Sequence, residues 1–217
     1  MTEPDVAFTD FALAAQCGVL AGRLGRLAPP SPLRRGFIAY LVSLGLAALA
    51  GGTVHGFFLD PLSLGARLLW PATLVVLGVS AWASWAIGAR LLAAPRMAQR
   101  ITVLAGLVWA GYAVVVVAGA HTFAVAIFHA LPAALFLLVT FLRQTRGPAG
   151  GPAGLGALGV GVSLLAAGGQ QAGIGLHPTL LSPNALAHVV QGVAVLLVYW
   201  AARGLTRHAR ATEDTPC

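Results

Sequence analysis

The chain contains no lysine, and charged residues of any kind fill only 9% of its 217 positions. Soluble domains carry about 25%. A surface so poor in charge cannot face water, and with 58% hydrophobic residues its solvent must be lipid. Acids are scarcer than bases, six against thirteen, and every base is arginine. The net charge of +7 does not mark a nucleic-acid binder. The arginines fall in short clusters between apolar runs, where their natural partner is the anionic lipid headgroup. Cysteine is nearly absent: Cys17 lies in an apolar run and Cys217 at the end of the chain, which excludes a disulfide framework and a CxxC site. The opening Met-Thr-Glu-Pro-Asp lacks the basic start of a cleaved signal peptide, so the first apolar run is expected to be retained. No internal repeat is visible, and an inverted-repeat transporter therefore gains no support.

What is present is a series of apolar runs. A membrane helix needs roughly 20 mostly apolar residues. Seven runs qualify, at about 6–24, 36–59, 65–91, 101–118, 120–142, 153–169 and 184–205. The sixth, rich in glycine, is the weakest. Breakers separate them: Pro29-Pro30-Ser31-Pro32, Asp60-Pro61, Ala94-Pro95, the stretch from Gly147 to Pro152, and that from Pro178 to Pro183. The expected fold is an all-α, polytopic seven-helix membrane bundle in a single domain spanning 1–217.

Arginine predicts the orientation. Arg23, Arg26, Arg34 and Arg35 follow the first run, Arg90, Arg96 and Arg100 the third, Arg143 and Arg146 the fifth, and Arg203, Arg207 and Arg210 the seventh. Only Arg67 falls on the other side. Arginine at every second connection predicts an N-terminus outside and a C-terminus inside. The arginine-rich loops would be cytoplasmic, in a bacterial-type inner or plasma membrane.

The polar residues then share a depth. Asp10, His55, Asp60, His121, Asn184, His188 and Gln191 all fall toward the outer ends of their runs, with His129 about 12 Å deeper than His121. Ionisable residues inside a membrane face the bundle interior or a watered cavity, so one outward-facing, His-lined polar pocket is expected. On the second run Ser43, Ala47, Gly51 and His55 recur every four residues, the pattern of a small-residue packing ridge. On the seventh, Asn184, His188 and Gln191 share a face, and Ser182-Pro183 reads as an N-cap with proline at the first helical position. Each residue also has a plainer reading. Asp60 and Asp10 would be helix caps, His121 interfacial, and His129 a partner for the carbonyl that Pro132 frees. The His188–Gln191 face would be interhelical glue, and Trp70, Trp82, Trp85, Trp109 and Trp200 interface anchors and packing.

The second run reads Gly51-Gly-Thr53-Val-His55 followed by Asp60, and the seventh Ser182-Pro-Asn184-Ala-Leu-Ala-His188. These resemble motifs of the CREST superfamily, the seven-helix alkaline ceramidases and progestin/adiponectin-type receptors. In that family a serine precedes a histidine by four residues on the second helix and an aspartate follows. A HxxxH pair stands on the seventh helix, and three histidines hold zinc. Here His55 and His188 match and Asp60 matches loosely. Asn184 stands for the first histidine of the pair, and Gly51 for the serine, with Thr53 nearby. The resemblance implies either a relative without the metal or a zinc site on His55 and His188, with His129, His121 or Asp10 as third ligand.

The leading expectation is a zinc-dependent hydrolase of a lipid-like amide or ester. Zinc would hold a hydroxide near neutral pH, and Asp60, Asp10 or Thr53 would orient it or move protons. One alternative is a haem protein with His55 or His129 opposite His188 as axial ligands. The other is non-catalytic, a small-solute binder or an accessory membrane subunit whose buried polar cluster only fixes helix register; Asn184, Gln191 and His121 are the expected pocket residues beside the histidines.

Overall fold

Proline and serine set the helix starts. Pro4, Pro32, Pro95 and Pro183 each occupy the first helical position, where a missing N–H costs nothing. Ser31 Oγ accepts from Arg34 N (3.2 Å), Ser63 Oγ from Ala66 N (3.2 Å) and Ser182 Oγ from Ala185 N (3.4 Å), each capping the helix that follows. The resulting computed structural model is all-helical: α1 (Pro4–Gly25), α2 (Pro32–Phe57), α3 (Leu64–Leu92), α4 (Pro95–Val117), α5 (Phe123–Gln144), α6 (Gly150–Gln171) and α7 (Pro183–Glu213). It describes residues 1–27 and 30–213, with side chains as far as His208. Pro29, Cys217 and the side chain of Arg210, used above to place a connection, a cysteine and a cluster, lie outside the described residues.

Six of the helices, α2 to α7, are long and apolar enough to cross a membrane. The first is 22 residues long, about 33 Å at helical rise, but Asp5, Asp10 and Gln16 dilute its apolar character. It is held by the bundle instead. Leu13, Cys17, Leu20 and Leu24 are buried in the main core, and Gln16 Nε2 donates to Gly192 O of α7 at 2.9 Å.

Side-by-side packing runs α1–α2–α3–α5–α6–α7 and back to α1, a closed ring of six helices. The fourth helix lies outside the ring against α3 and barely meets α5. Consecutive helices run in opposite directions, and contacts at both ends fix this. At one end Glu3 N donates to His55 O, Ser182 N to Asp5 Oδ2, and Trp70 Nε1 to His121 O. At the other, Gln144 Nε2 donates to Leu91 O, and Gly204 lies against Pro152. The arginine clusters all fall at this second end. The turns after α4 and α6 at the first end need Gly119 (φ 124°) and Gly173 (φ 70°), a region that L side chains avoid.

The small-residue ridge of α2 differs from expectation by a rotation of the helix. A Cβ on Gly45 would meet Cys17 Cβ at 2.9 Å, and one on Gly52 would meet Asp10 Cβ at 2.8 Å. Gly45, Gly52 and Gly56 therefore take α1, while Ala47, Gly51 and His55 turn inward. Three of the tryptophans take the packing part of their expected role. Trp82 and Trp109 donate across the α3–α4 seam, to Thr102 O and Val75 O (both 3.1 Å), and Trp85 stacks on Phe136 of α5.

The close α1–α2 contact predicts an asymmetric response to side chains added at glycine. Gly52→Leu should lower the unfolding midpoint in detergent, at an overpacking cost of about 1–3 kcal/mol. Gly18→Ala, with nothing within 4 Å of the new methyl, should leave the midpoint unchanged or raise it slightly.

Candidate functional site

The ring encloses a cavity of about 480 Å³. All six ring helices line it and α4 does not. Lining residues run from His55 to Tyr40 on α2, from Trp70 to Ser84 on α3 and from Phe123 to Leu137 on α5. At helical rise each stretch covers about 21–23 Å, so the cavity is elongated along the bundle. Its walls are mostly alanine, leucine and other apolar side chains. Apart from the phenol of Tyr40, the ionisable side chains on the lining are Asp10, His55 and His188, joined by Asn184, Gln170 and Gln191. These six come from helix ends that meet at the end of the bundle opposite the arginines. The expected polar pocket is thus an apolar cavity with one polar end.

Asp10 and His188 form the centre of that end. Asp10 is no helix cap: α1 starts six residues earlier, and the carboxyl is turned inward with only 4% of the residue exposed. Its Oδ1 lies 3.4 Å from His188 Nε2. On the other side of the imidazole, Nδ1 is 3.2 Å from Thr9 Oγ1. The Thr9 hydroxyl proton is engaged by the carbonyls of Asp5 (2.9 Å) and Val6 (3.0 Å). The threonine oxygen therefore accepts from His188 Nδ1–H, and this tautomer turns Nε2 toward Asp10. A hydroxyl, an imidazole and a carboxyl thus form a chain linking α1 and α7. His55 sits one helix away, with Nδ1 2.5 Å from Glu3 Oε2 and its ring edge-on to Trp70, 6.4 Å between centroids. Asn184 Oδ1 accepts from Gln170 Nε2 at 3.0 Å, which ties α6 to the first turn of α7.

Five of the residues expected at a common site are gathered: Asp10, His55, Asn184, His188 and Gln191. Four are not. His129 stacks flat on Tyr112 of α4 (4.1 Å, 7°), with Nε2 3.4 Å from Gly78 O, on the α3–α4 side of its helix. His121 is exposed and joins only through its backbone carbonyl, which accepts from Trp70. Thr53 donates to Leu49 O of its own helix at 2.7 Å. Asp60 is exposed, and its Oδ1 accepts from Leu62 N (2.9 Å) in the turn before α3.

The zinc set of His55, His188 and a third ligand does not fit this arrangement. Among the described residues no three His, Cys, Asp or Glu side chains gather at ligand spacing. His129 faces another seam, and both nitrogens of His188 already meet protein partners. Axial ligation of haem by His188 meets the same obstacle.

Several lining residues escaped the sequence reading. Thr73, Leu77, Ser80 and Ser84 line one face of α3, and their spacing of four, three and four residues was the available signal. Glu3 gave none, because its role depends on α2 ending beside it. The Asp10–His188 contact predicts energetic coupling. In a double-mutant cycle, Asp10→Asn and His188→Gln should be non-additive by about 0.5–3 kcal/mol in thermal unfolding. The same cycle on Asp60→Asn and His188→Gln should be additive.

Comparison with curated proteins and with solved structures finds no match. Residues 6–207, from the second residue beyond Pro4 to the arginine-rich end of α7, match one family across the whole ring and the cavity it encloses. The chain belongs to DUF6962, a family of unknown function.

Proposed function

We propose that the protein is an integral membrane protein that binds a lipid-like amphiphile inside the six-helix ring. The apolar chain lies between α3, α5 and α6, and the polar head rests against Asp10, His188 and Asn184. The observation that carries this reading is the division of the cavity, mostly apolar along its length with a few hydroxyls (Tyr40, Ser80, Ser84, Ser163), and with Asp10, His55 and His188 gathered at one end. Its volume of about 480 Å³ falls in the range of roughly 300–1,000 Å³ usual for small-molecule sites. Filled with water it would hold about 16 molecules at roughly 30 Å³ each, most of them against apolar walls. An alkyl chain is the better occupant of such walls.

Binding is favoured over hydrolysis by the state of the side chains. Ser80 Oγ donates to Leu77 O and Ser84 Oγ to Ser80 O, at 2.7 and 2.8 Å. The hydroxyl proton of Thr9 is engaged by backbone carbonyls, and a buried lining hydroxyl without a hydrogen-bond partner, Ser163 Oγ on α6, makes no hydrogen bond to His188 as an activated nucleophile would. The polar end of the cavity faces outward in this reading, because the arginines crowd the other end of the bundle.

Two experiments test the proposal. The first asks whether the detergent-purified chain carries an amphiphile: native mass spectrometry should show a retained lipid-sized adduct. Ala130→Phe, which fills the cavity from α5, should remove the adduct and leave the helical circular dichroism unchanged. An adduct equally retained in Ala130→Phe would place it on the outer surface and end the proposal. The second concerns sidedness, in a background without Cys17 and Cys217. A cysteine at Thr179 should react with an impermeant maleimide from outside intact cells, and one at Arg146 only after permeabilisation.

A further inference from the structure

Among the described residues no arginine lines the cavity, and the chain has no lysine. An anionic head, phosphate or carboxylate, would find no fixed positive charge there. A cationic head would find Asp10. This carboxyl is 6% exposed as a side chain, and the ionisable side chain beside it, His188, turns the unprotonated Nε2 of a neutral ring toward it at 3.4 Å. Among the described residues nothing donates a hydrogen bond to its Oδ2, the oxygen on the Gly51 side. Buried carboxylates are normally paired and hydrogen-bonded, so one half of this group is open toward the cavity.

The surroundings favour the same sign of charge. Glu3, Asp5, Asp10 and Asp60 stand at this end of the bundle against the single Arg67. The potential at the mouth is therefore negative and concentrates cations. Trp70 lines the cavity beside His55, its ring held by the bond from Nε1 to His121 O at 2.7 Å. An indole face is the preferred aromatic partner of an ammonium group. Gln191, on the α7 face below His188, lines the cavity with no hydrogen-bond partner among the described residues. Its amide oxygen is a second neutral acceptor, and an ammonium brings three donors.

We infer that the amphiphile is a long-chain amine, held as its ammonium form with Asp10 as counter-ion and Trp70 and Gln191 beside it. The inference rests on the proposed binding reading and adds the charge of the head. It makes Asp10 the residue that selects among amphiphiles of equal length, while the apolar walls set affinity for the chain.

The test uses three probes with the same dodecyl chain: dodecylammonium, dodecanol and dodecanoate. Each is titrated into the full chain in nanodiscs of zwitterionic lipid, and the apparent Kd is read from the shift of the unfolding midpoint. The chain's positive net charge attracts the anion non-specifically, so a preference for the cation is a conservative signal. Dodecylammonium should bind at least about tenfold more tightly than dodecanoate, a difference of about 1.4 kcal/mol, with dodecanol between them. Asp10→Asn should remove that preference and bring the apparent Kd values of dodecylammonium and dodecanoate within about twofold of each other. Equal or tighter binding of dodecanoate by the original chain overturns the inference and leaves the cavity reading standing. Failure of all three probes to bind overturns both. A preference for the cation that survives Asp10→Asn overturns the role of Asp10. If Asp10→Asn does not fold, the order of the three probes on the original chain still decides the charge of the head.

Discussion

No water reaches the hydrocarbon core to satisfy a stray polar group, so each polar side chain carried into it must find its partner within the protein. The architecture follows from how α1 meets that requirement. Thr9, Asp10 and Gln16 cannot face lipid cheaply, and each is answered from α7: Thr9 and Asp10 by His188, Gln16 by the carbonyl of Gly192. The same contacts close the ring. Glycine on α2 makes the closure possible, since a methyl at Gly45 or Gly52 would collide with Cys17 or Asp10. Polar satisfaction pulls α1 in, and missing side chains let it approach.

The cavity is the by-product of that closure. Three of the six ring helices turn small residues inward over much of their length: Ala47, Ala48 and Gly51 on α2, Ala126, Ala130 and Ala134 on α5, Ala166 and Ala167 on α6. Other large side chains of the same helices pack in the seams, as Phe37 does against Phe141, and those that reach the lining, such as Tyr40, Phe123 and Leu137, stand among these small residues. A ring whose inner faces are small leaves its axis unfilled, which in a soluble protein would be a costly void. Here the hollow is continuous with a hydrogen-bonding end, and the two together have the proportions of an amphiphile.

The helix order was legible in the sequence, most helix ends to within a few residues, because a lipid solvent reduces the choice to where an apolar run starts and stops. The expected start of the seventh helix at Ser182-Pro183 is where the chain begins it. The shared depth of His55, Asn184, His188 and Gln191 was legible for the same reason, since depth follows from counting along helices of alternating direction. Rotation about each helix axis was not. A count places His129 near the right level but cannot say that it turns toward Tyr112 and away from the cavity. On α2 the ridge through Ser43, Ala47 and Gly51 and the one through Gly45, Gly52 and Gly56 are both small. Which of them takes α1 depends on a neighbour that a single helix does not reveal. Asp10 shows the limit from the other side: following Thr9 it reads as a cap, and only the helix start at Pro4 makes it an interior carboxyl.

The seam between α1 and α7 joins positions 179 residues apart, Thr9 to His188. Helix α1 must therefore wait until α7 is translated before its carboxyl has a mate. Until translation passes residue 188, an emerging chain has its glycines and alanines in register but an open flank. A chaperone or insertase that shelters that flank would be holding a nearly finished barrel with one stave still missing. Quality control acting on the unpaired aspartate would then discard chains truncated before the final helix, while tolerating losses from the tail beyond it.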